Sequence, residues 1–210
     1  MNDIVYYYAA YSAFAYLGSA RFMQIARDAG RRIAHRPVDL DRVIEAAGSS
    51  AFKARSDAFR QYFFVREIQR WSEERGAPVG GRPTNHYSDI TRAHLMIVAG
   101  VQAGQDVDAL AHGMLEAHWR HDADLGDVRA LVRIATENGY DATALMEAGD
   151  TRAVQDAYEA NTRDAIERSV FGSPTYLVDG DLFYGQDRLE MVERALVKPY
   201  ARGWSGPEGG

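Results

Sequence analysis

Cysteine is absent from all 210 residues of the chain. That excludes disulfides, thiolate metal sites and any reaction that runs on a protein-borne thiol, so a sulfur nucleophile would have to arrive with a ligand. Long apolar runs are missing as well. No stretch approaches the 18 or more residues of a membrane span, and the "MND" start lacks the basic region and apolar core of a secretory leader. The expectation is a cytoplasmic protein with no membrane partner. Basic tracts are also lacking: 24 basic residues face 30 acidic ones, for a net charge of −6. With no aromatic-and-arginine run of the kind that grips phosphate backbones, nucleic acid is not an expected partner. Neither internal repeats nor low-complexity segments occur.

What is present suits a globular fold. An apolar content of 46% supports one sizeable core, or one domain with a large insertion. The aromatic run "IVYYYAA" at residues 4–10 suits a strand buried on both faces, hence a central one. From Tyr16 the pattern turns helical, with Leu17, Phe22 and Ile25 on one face and Gly30 as the stop. Residues 32–38, "RIAHRPV", read as a second strand, and the helical crossover makes the two strands parallel.

The middle of the chain is helical in pattern. Residues 52–75 read as one long helix with Phe64, Ile68 and Trp71 spaced i, i+4, i+7, ending at Gly76 and Pro78. A polar loop, "GAPVGGRPTNHYSD", follows. After it come five amphipathic stretches with aspartate caps and glycine stops. Strand character returns at "PTYLV", then Asp179-Gly180, a hairpin signal, then "DLFYG" and a closing helix "QDRLEMVERAL". The layout is α+β: strand, helix, strand in front, strand, strand, helix behind, and an all-helical block between. That is a thioredoxin-like fold made of residues 1–40 and 170–200, with an inserted helical domain at 41–169 and a loose tail at 201–210. Ser173-Pro174 opens the third strand, where such folds hold a cis-proline facing the active site, although proline is allowed at a strand's first residue in any case.

In that fold the reactive residue lies where the first strand meets the first helix, and here the place is Ser12-Ala13-Phe14-Ala15. A helix N-terminus stabilises a nearby thiolate, and Ser12 can donate its O–H to a thiolate brought by glutathione. It can equally be an ordinary N-cap. In "FYGQDRLE", Gly185 permits close backbone approach, Gln186 and Asp187 open a helix whose free N–H groups could bind a carboxylate, and Asp187 would suit an ammonium group. The γ-glutamyl end of glutathione carries both charges, while a plain helix start is the alternative. Arg82, Asn85, His86 and Tyr87 in "RPTNHYSD" could orient an aromatic carboxylate or form a solvated loop. His118, His121, Asp122 and Asp124 could hold a metal or form a polar helix end; no metal is expected.

Together, "YSAFAYLG", "HRPVDLDRV", "IQRWSEERGAPV", "VFGSPTYLVDG" and "LFYGQDRLEMVERAL" resemble the 2-hydroxychromene-2-carboxylate isomerases, relatives of kappa-class glutathione transferases and DsbA-type oxidoreductases, from Ile4 to about Leu196. The resemblance implies that Ser12 holds the glutathione thiolate, that Ser173 beside Pro174 offers its backbone, and that Tyr184, Gly185, Gln186 and Asp187 hold the γ-glutamyl end. It implies glutathione as cofactor, a homodimer, and a glutathione-dependent isomerase that works by thiolate addition, bond rotation and elimination. Arg55, Asn85 and His86 are then the expected substrate contacts. Departures are visible: Ala13 and Ala15 replace the motif's proline and second serine, a substrate lysine is Ile44, and the asparagine preceding Arg55 is Ala54. These loosen the turn in expectation and leave two alternatives, a kappa-like glutathione transferase and a non-catalytic binding module.

Overall fold

The structure, a computed structural model, describes residues 3–48 and 55–201. Strand β1 (Ile4–Tyr8) is flanked by parallel β2 (Ile33–Pro37) and antiparallel β3 (Thr175–Val178), and β4 (Asp181–Tyr184) closes the order β2-β1-β3-β4. The aromatic run therefore lies in a central strand, as its lack of polar alternation predicts. Successive side chains point to opposite faces. Ile4, Tyr6 and Tyr8 join one core with Leu17, Phe22 and Ile25, while Tyr7 joins a second with Val38, Val43, Ala165 and Val170. The rings of Tyr6 and Tyr176, cross-strand neighbours in the register, stack at 5.4 Å, and Tyr6 stacks on Tyr8 at 4.2 Å. Such pairs add about 0.5–1.5 kcal/mol beyond their buried area.

Helix α1 (Ala13–Asp28) starts three residues earlier than the periodicity predicts, because Ser12 caps it. Gly30 follows its end at φ +62°, the left-handed position a glycine stop supplies. After β2 comes a short helix absent from the sequence reading, α2 (Leu40–Ala46), capped by Asp39, whose carboxylate accepts from Arg42 N–H. The expected single helix over residues 52–75 is not uniform. Its described part consists of α3 (Asp57–Gln61), a π turn (Tyr62–Arg66) and α4 (Glu67–Arg75), and the stretch before Arg55 lies outside the described residues. A π turn rotates the apolar stripe by adding a residue. Ile68 is buried, while Phe64 is left 44% exposed.

The remaining helices are α5 (Thr91–Gln102), α6 (Asp108–His121), α7 (Val128–Glu137), α8 (Ala142–Gly149) and α9 (Arg152–Glu167). Asp127 and Asp141 cap α7 and α8 as expected, but α9 takes Thr151. Asp89 and Asp106 instead bond to Thr91 N–H and Asp108 N–H just ahead of α5 and α6. The hairpin turn runs through Asp179 at φ +49° and Gly180 at φ +96°, the signature of the Asp-Gly hairpin. A 3₁₀ turn (Gln186–Arg188) leads into α10 (Leu189–Val197), so the closing helix starts later than the sequence suggests. The expected tail beyond Ala201 lies outside the described residues. No helix among the described residues is long and apolar enough to cross a membrane.

Candidate functional site

Ser12 sits between β1 and α1 with extended backbone (φ −71°, ψ 120°) and 7% exposure. Its Oγ accepts from Ala15 N–H at 3.2 Å and donates to the Ser173 carbonyl at 3.2 Å. The N-cap role and the outward-donating role expected as alternatives thus coexist in one hydroxyl: the lone pair serves the helix and the proton serves a neighbour. The Ser173 side chain returns the contact, accepting from Ala9 N–H at 3.1 Å. The Ser173-Pro174 peptide is cis. On its far side the Pro174 carbonyl accepts from Gly185 N–H at 2.9 Å, and Thr175 pairs with Tyr184 in the β3–β4 register. Ser12, Ser173, Pro174 and Gly185 are therefore linked in one line across the end of the sheet.

Gly185 is held at φ +102°, and a Cβ there would collide with the Asp187 carboxylate, so only glycine fits. The first N–H groups of a helical turn have no acceptor within it. In this turn those belong to Gln186 and Asp187, beside the Asp187 carboxylate, whose ion pair is with exposed Arg188 at 3.4 Å. Tyr184 covers Gly172 and meets Phe171 edge-on at 6.1 Å, and burial raises its phenol above the ordinary range. Gln186 is nearly fully buried, and Arg75 from the end of α4 grips it twice: Nε to the side-chain oxygen at 3.1 Å and Nη2 to the carbonyl at 3.2 Å. Arg75 also pairs with Glu190 at 2.8 Å and lies over the Trp71 ring.

A second set of side chains approaches Ser12 from the helical block. Phe14 meets Phe63 at 5.1 Å, Phe63 stacks on Phe59 at 5.4 Å, and the Arg55 guanidinium lies over Phe59 at 4.8 Å. Arg55 is thus tied to α1 through three rings. On the other side the Tyr11 ring meets His86 edge-on at 5.3 Å, and Trp119 donates to the Tyr11 carbonyl at 2.8 Å. Asn85 is exposed in the same loop, its carbonyl accepting from Ser88 N–H, while Arg82 and Tyr87 bond to each other at 3.1 Å. His118 is buried and turned to His86 and to the Ala123 carbonyl. Asp122 bonds instead to the Thr84 backbone and hydroxyl, so the polar groups around His118 serve loop anchoring. Among the described residues no three of these groups converge as metal ligands would.

A DsbA-like thioredoxin domain model matches residues 3–197. A 2-hydroxychromene-2-carboxylate isomerase of Sphingobium xenophagum is 30% identical over 93% of this chain and 98% of its own, and one of Pseudomonas putida is 29% identical over 91% and 92%. A solved structure of a 2-hydroxychromene-2-carboxylate isomerase superposes with a TM-score of 0.80 at 27% identity, covering 93% of this chain and 94% of that one. The chain belongs to the DsbA-like thioredoxin family, in its 2-hydroxychromene-2-carboxylate isomerase branch. Arg75 and Tyr11, which contact the candidate residues Gln186 and His86, were passed over by sequence reasoning, which named Phe14 only as part of the Ser12 motif. Only the Phe59–Phe63 spacing of four residues gave a signal for the aromatic chain, and His118, read with His121 as part of a polar helix end, gave none for its contact with His86. Buried His94 was also missed. Its Nε2 accepts from Ala10 N–H at 2.9 Å, two residues before Ser12, and its Nδ1 faces the Tyr158 hydroxyl at 3.1 Å.

Proposed function

We propose that the chain is a glutathione-dependent isomerase of an unsaturated, aromatic-derived carbonyl or carboxylate compound of the 2-hydroxychromene-2-carboxylate class. The observation that carries this reading is the Ser12 hydroxyl at the N-terminus of α1, bonded to the residue before the cis-proline in a chain with no cysteine. The relatives named as isomerases supply the reaction class. A glutathione thiolate replaces the Ser173 carbonyl as acceptor of the Ser12 proton and lies against the positive end of α1. The Ser173 and Pro174 backbone flanks the peptide, and Tyr184, Gly185, Gln186 and Asp187 take the γ-glutamyl end, its carboxylate on the turn's N–H groups and its ammonium on Asp187.

The thiolate adds to a conjugated double bond of the substrate, which becomes a rotatable single bond. Elimination after rotation restores the double bond in the other geometry and frees glutathione unchanged. Arg55 faces the substrate carboxylate, with Asn85 and His86 on the opposite side. The need for reduced glutathione accords with a cytoplasmic location, and a homodimer is the assembly proposed by the same resemblance.

Titration of glutathione by calorimetry, into wild type and Ser12→Ala, tests the reading. Wild type is expected to bind, and to convert 2-hydroxychromene-2-carboxylate only with glutathione present. No binding would remove the mechanism. A stable glutathione adduct in the mass spectrum would mean a kappa-like transferase instead, and binding without turnover would mean the binding module that Ala13, Ala15 and Ile44, in place of the family's proline, second serine and lysine, favour.

A further inference from the structure

The loop over residues 80–88 is pinned to the end of α6 at three points. Gly80 N–H donates to the Trp119 carbonyl at 2.8 Å, the Asp122 carboxylate accepts from Thr84, and His86 Nδ1 lies 3.0 Å from His118 Nε2. The third contact carries chemical information. His118 Nδ1 is 3.0 Å from the Ala123 carbonyl, which can only accept, so the proton of His118 is on Nδ1. In a neutral ring His118 Nε2 is then an acceptor, and the hydrogen bond across the pair requires the proton of His86 to sit on its own Nδ1. His86 Nε2 is left as a bare lone pair. It has no protein partner among the described residues, it is not sealed from solvent, and the ring stands edge-on to Tyr11, the neighbour of Ser12.

Burial keeps both imidazoles neutral. It pulls His86 down to about 4, helped by His118 and Arg82, and it lowers His118 against the opposing pull of Asp122 and Asp124. The other titratable groups against the ring are Tyr11, whose phenol is raised by its burial, and the exposed Tyr87.

We propose that His86 Nε2 is the proton-transfer base for a hydroxyl of the substrate, and that His118, keyed by the Ala123 carbonyl, is the positioning residue that fixes the tautomer. This rests on the substrate class proposed above. A 2-hydroxychromene is a cyclic hemiketal, and it opens when the 2-hydroxyl loses its proton, that O–H electron pair becomes the carbonyl π bond, and the C2–O1 bond breaks with its pair leaving on O1. His86 Nε2 takes the hydroxyl proton and returns it to O1, which becomes a phenol. Proton and electrons balance with no other reactant. The open form carries the conjugated carbonyl that a thiolate attacks.

The test uses the full chain labelled with ¹⁵N. Long-range ¹⁵N–¹H spectra at pH 7 are expected to show His86 and His118 both protonated on Nδ1, and His118→Phe to release His86 into a mixture of tautomers. Titrated 2-hydroxycinnamate, a phenolic probe that needs no turnover, is expected to move the His86 Nε2 signal. With glutathione saturating, His86→Gln is expected to lower kcat about 100-fold or more while glutathione binding by calorimetry stays unchanged. His86 protonated on Nε2 in wild type, no response to the phenol, or full kcat in His86→Gln would each overturn the proposal. If wild type binds the phenol at His86 but does not isomerise, the isomerase reading fails alone.

Discussion

Ser12 Oγ and the Ser173 carbonyl are joined by a hydrogen bond of 3.2 Å, which ties the start of α1 to the cis-proline across two strands that are distant in sequence. The same Oγ accepts from Ala15 N–H, so a single side chain closes the turn in both directions. A hydroxyl has one proton to give, so on the function proposed above a thiolate ligand would compete with the Ser173 carbonyl for it.

Ser12→Ala removes both contacts. Loss of the cap is expected to cost about 1 kcal/mol in denaturant unfolding, and loss of a charge-assisted bond to the thiolate about 1.5–3 kcal/mol in affinity, a rise in glutathione Kd of roughly 10- to 100-fold. Thiolate absorbance of bound glutathione at pH 7 should fall in parallel. An unchanged Kd would show that the hydroxyl only caps the helix.

Arg75 offers a test on the far side of the site. Its fork reaches both oxygens of buried Gln186 and pairs with Glu190, a geometry lysine cannot copy. Arg75→Lys is therefore expected to weaken glutathione binding and lower stability by about 1–2 kcal/mol, since the Gln186 oxygens lose donors in a dry setting. Glu190→Gln should matter less, because that carboxylate is 59% exposed and exposed pairs contribute little. Calorimetry and urea melts on both variants would decide, and equal effects would contradict the assignment.

The fold was legible where the pattern is local. The apolar run of β1, the Asp179-Gly180 turn and the Ser173-Pro174 start of β3 each carry their signal within a few residues. The helix expected over residues 52–75 runs without a break over its described part, 57–75, and stops at Gly76 as expected; only the π turn within it was not legible, because that turn depends on one inserted residue and on packing, which periodicity does not encode. For the proposed site, Ser12, Gly185, Gln186 and Asp187 were candidates by residue type and place, and Tyr184 was added by the family resemblance. Arg75 was not a candidate, since its role arises from α4 ending beside Gln186, 111 positions away. The His86–His118 pairing was hidden for the same reason, and the sequence pointed His118 toward a neighbour on its own helix instead.

Stability should depend on pH through His94, the buried imidazole that holds Ala10 N–H. Burial pulls it from 6.5 to about 3, and Asp89 opposes this only in part. The unfolded chain then binds a proton that the folded chain refuses between these values. The stabilisation is complete above about 6.5 and is lost as pH falls toward 3, at up to roughly 1.4 kcal/mol per unit. Urea midpoints are expected to drop from pH 7.5 to 5, with a shallower drop in His94→Gln. A flat profile in wild type would mean that His94 is protonated at little cost, and the Ala10 contact would then be lost in acid without unfolding.

The alanine at position 13 does not loosen the turn as its replacement of the family's proline suggests. Ser12 caps a helix that begins at Ala13, so Ala13 is the first helical residue, where the N–H has no intrahelical partner and proline's fixed φ is already the one required. Restoring proline should therefore leave the folded contacts intact and narrow the unfolded ensemble, raising stability by about 0.4–1 kcal/mol. Glutathione affinity should barely change, because the Ser12 hydroxyl is positioned by Ala15 N–H and the Ser173 carbonyl rather than by residue 13. Ala13 is 8% exposed and packs in the main core, so the ring must find room there. A fall in melting temperature with unchanged affinity would locate a clash in the core, whereas a rise in affinity would show that the turn, and not the hydroxyl alone, sets how well the thiolate is held.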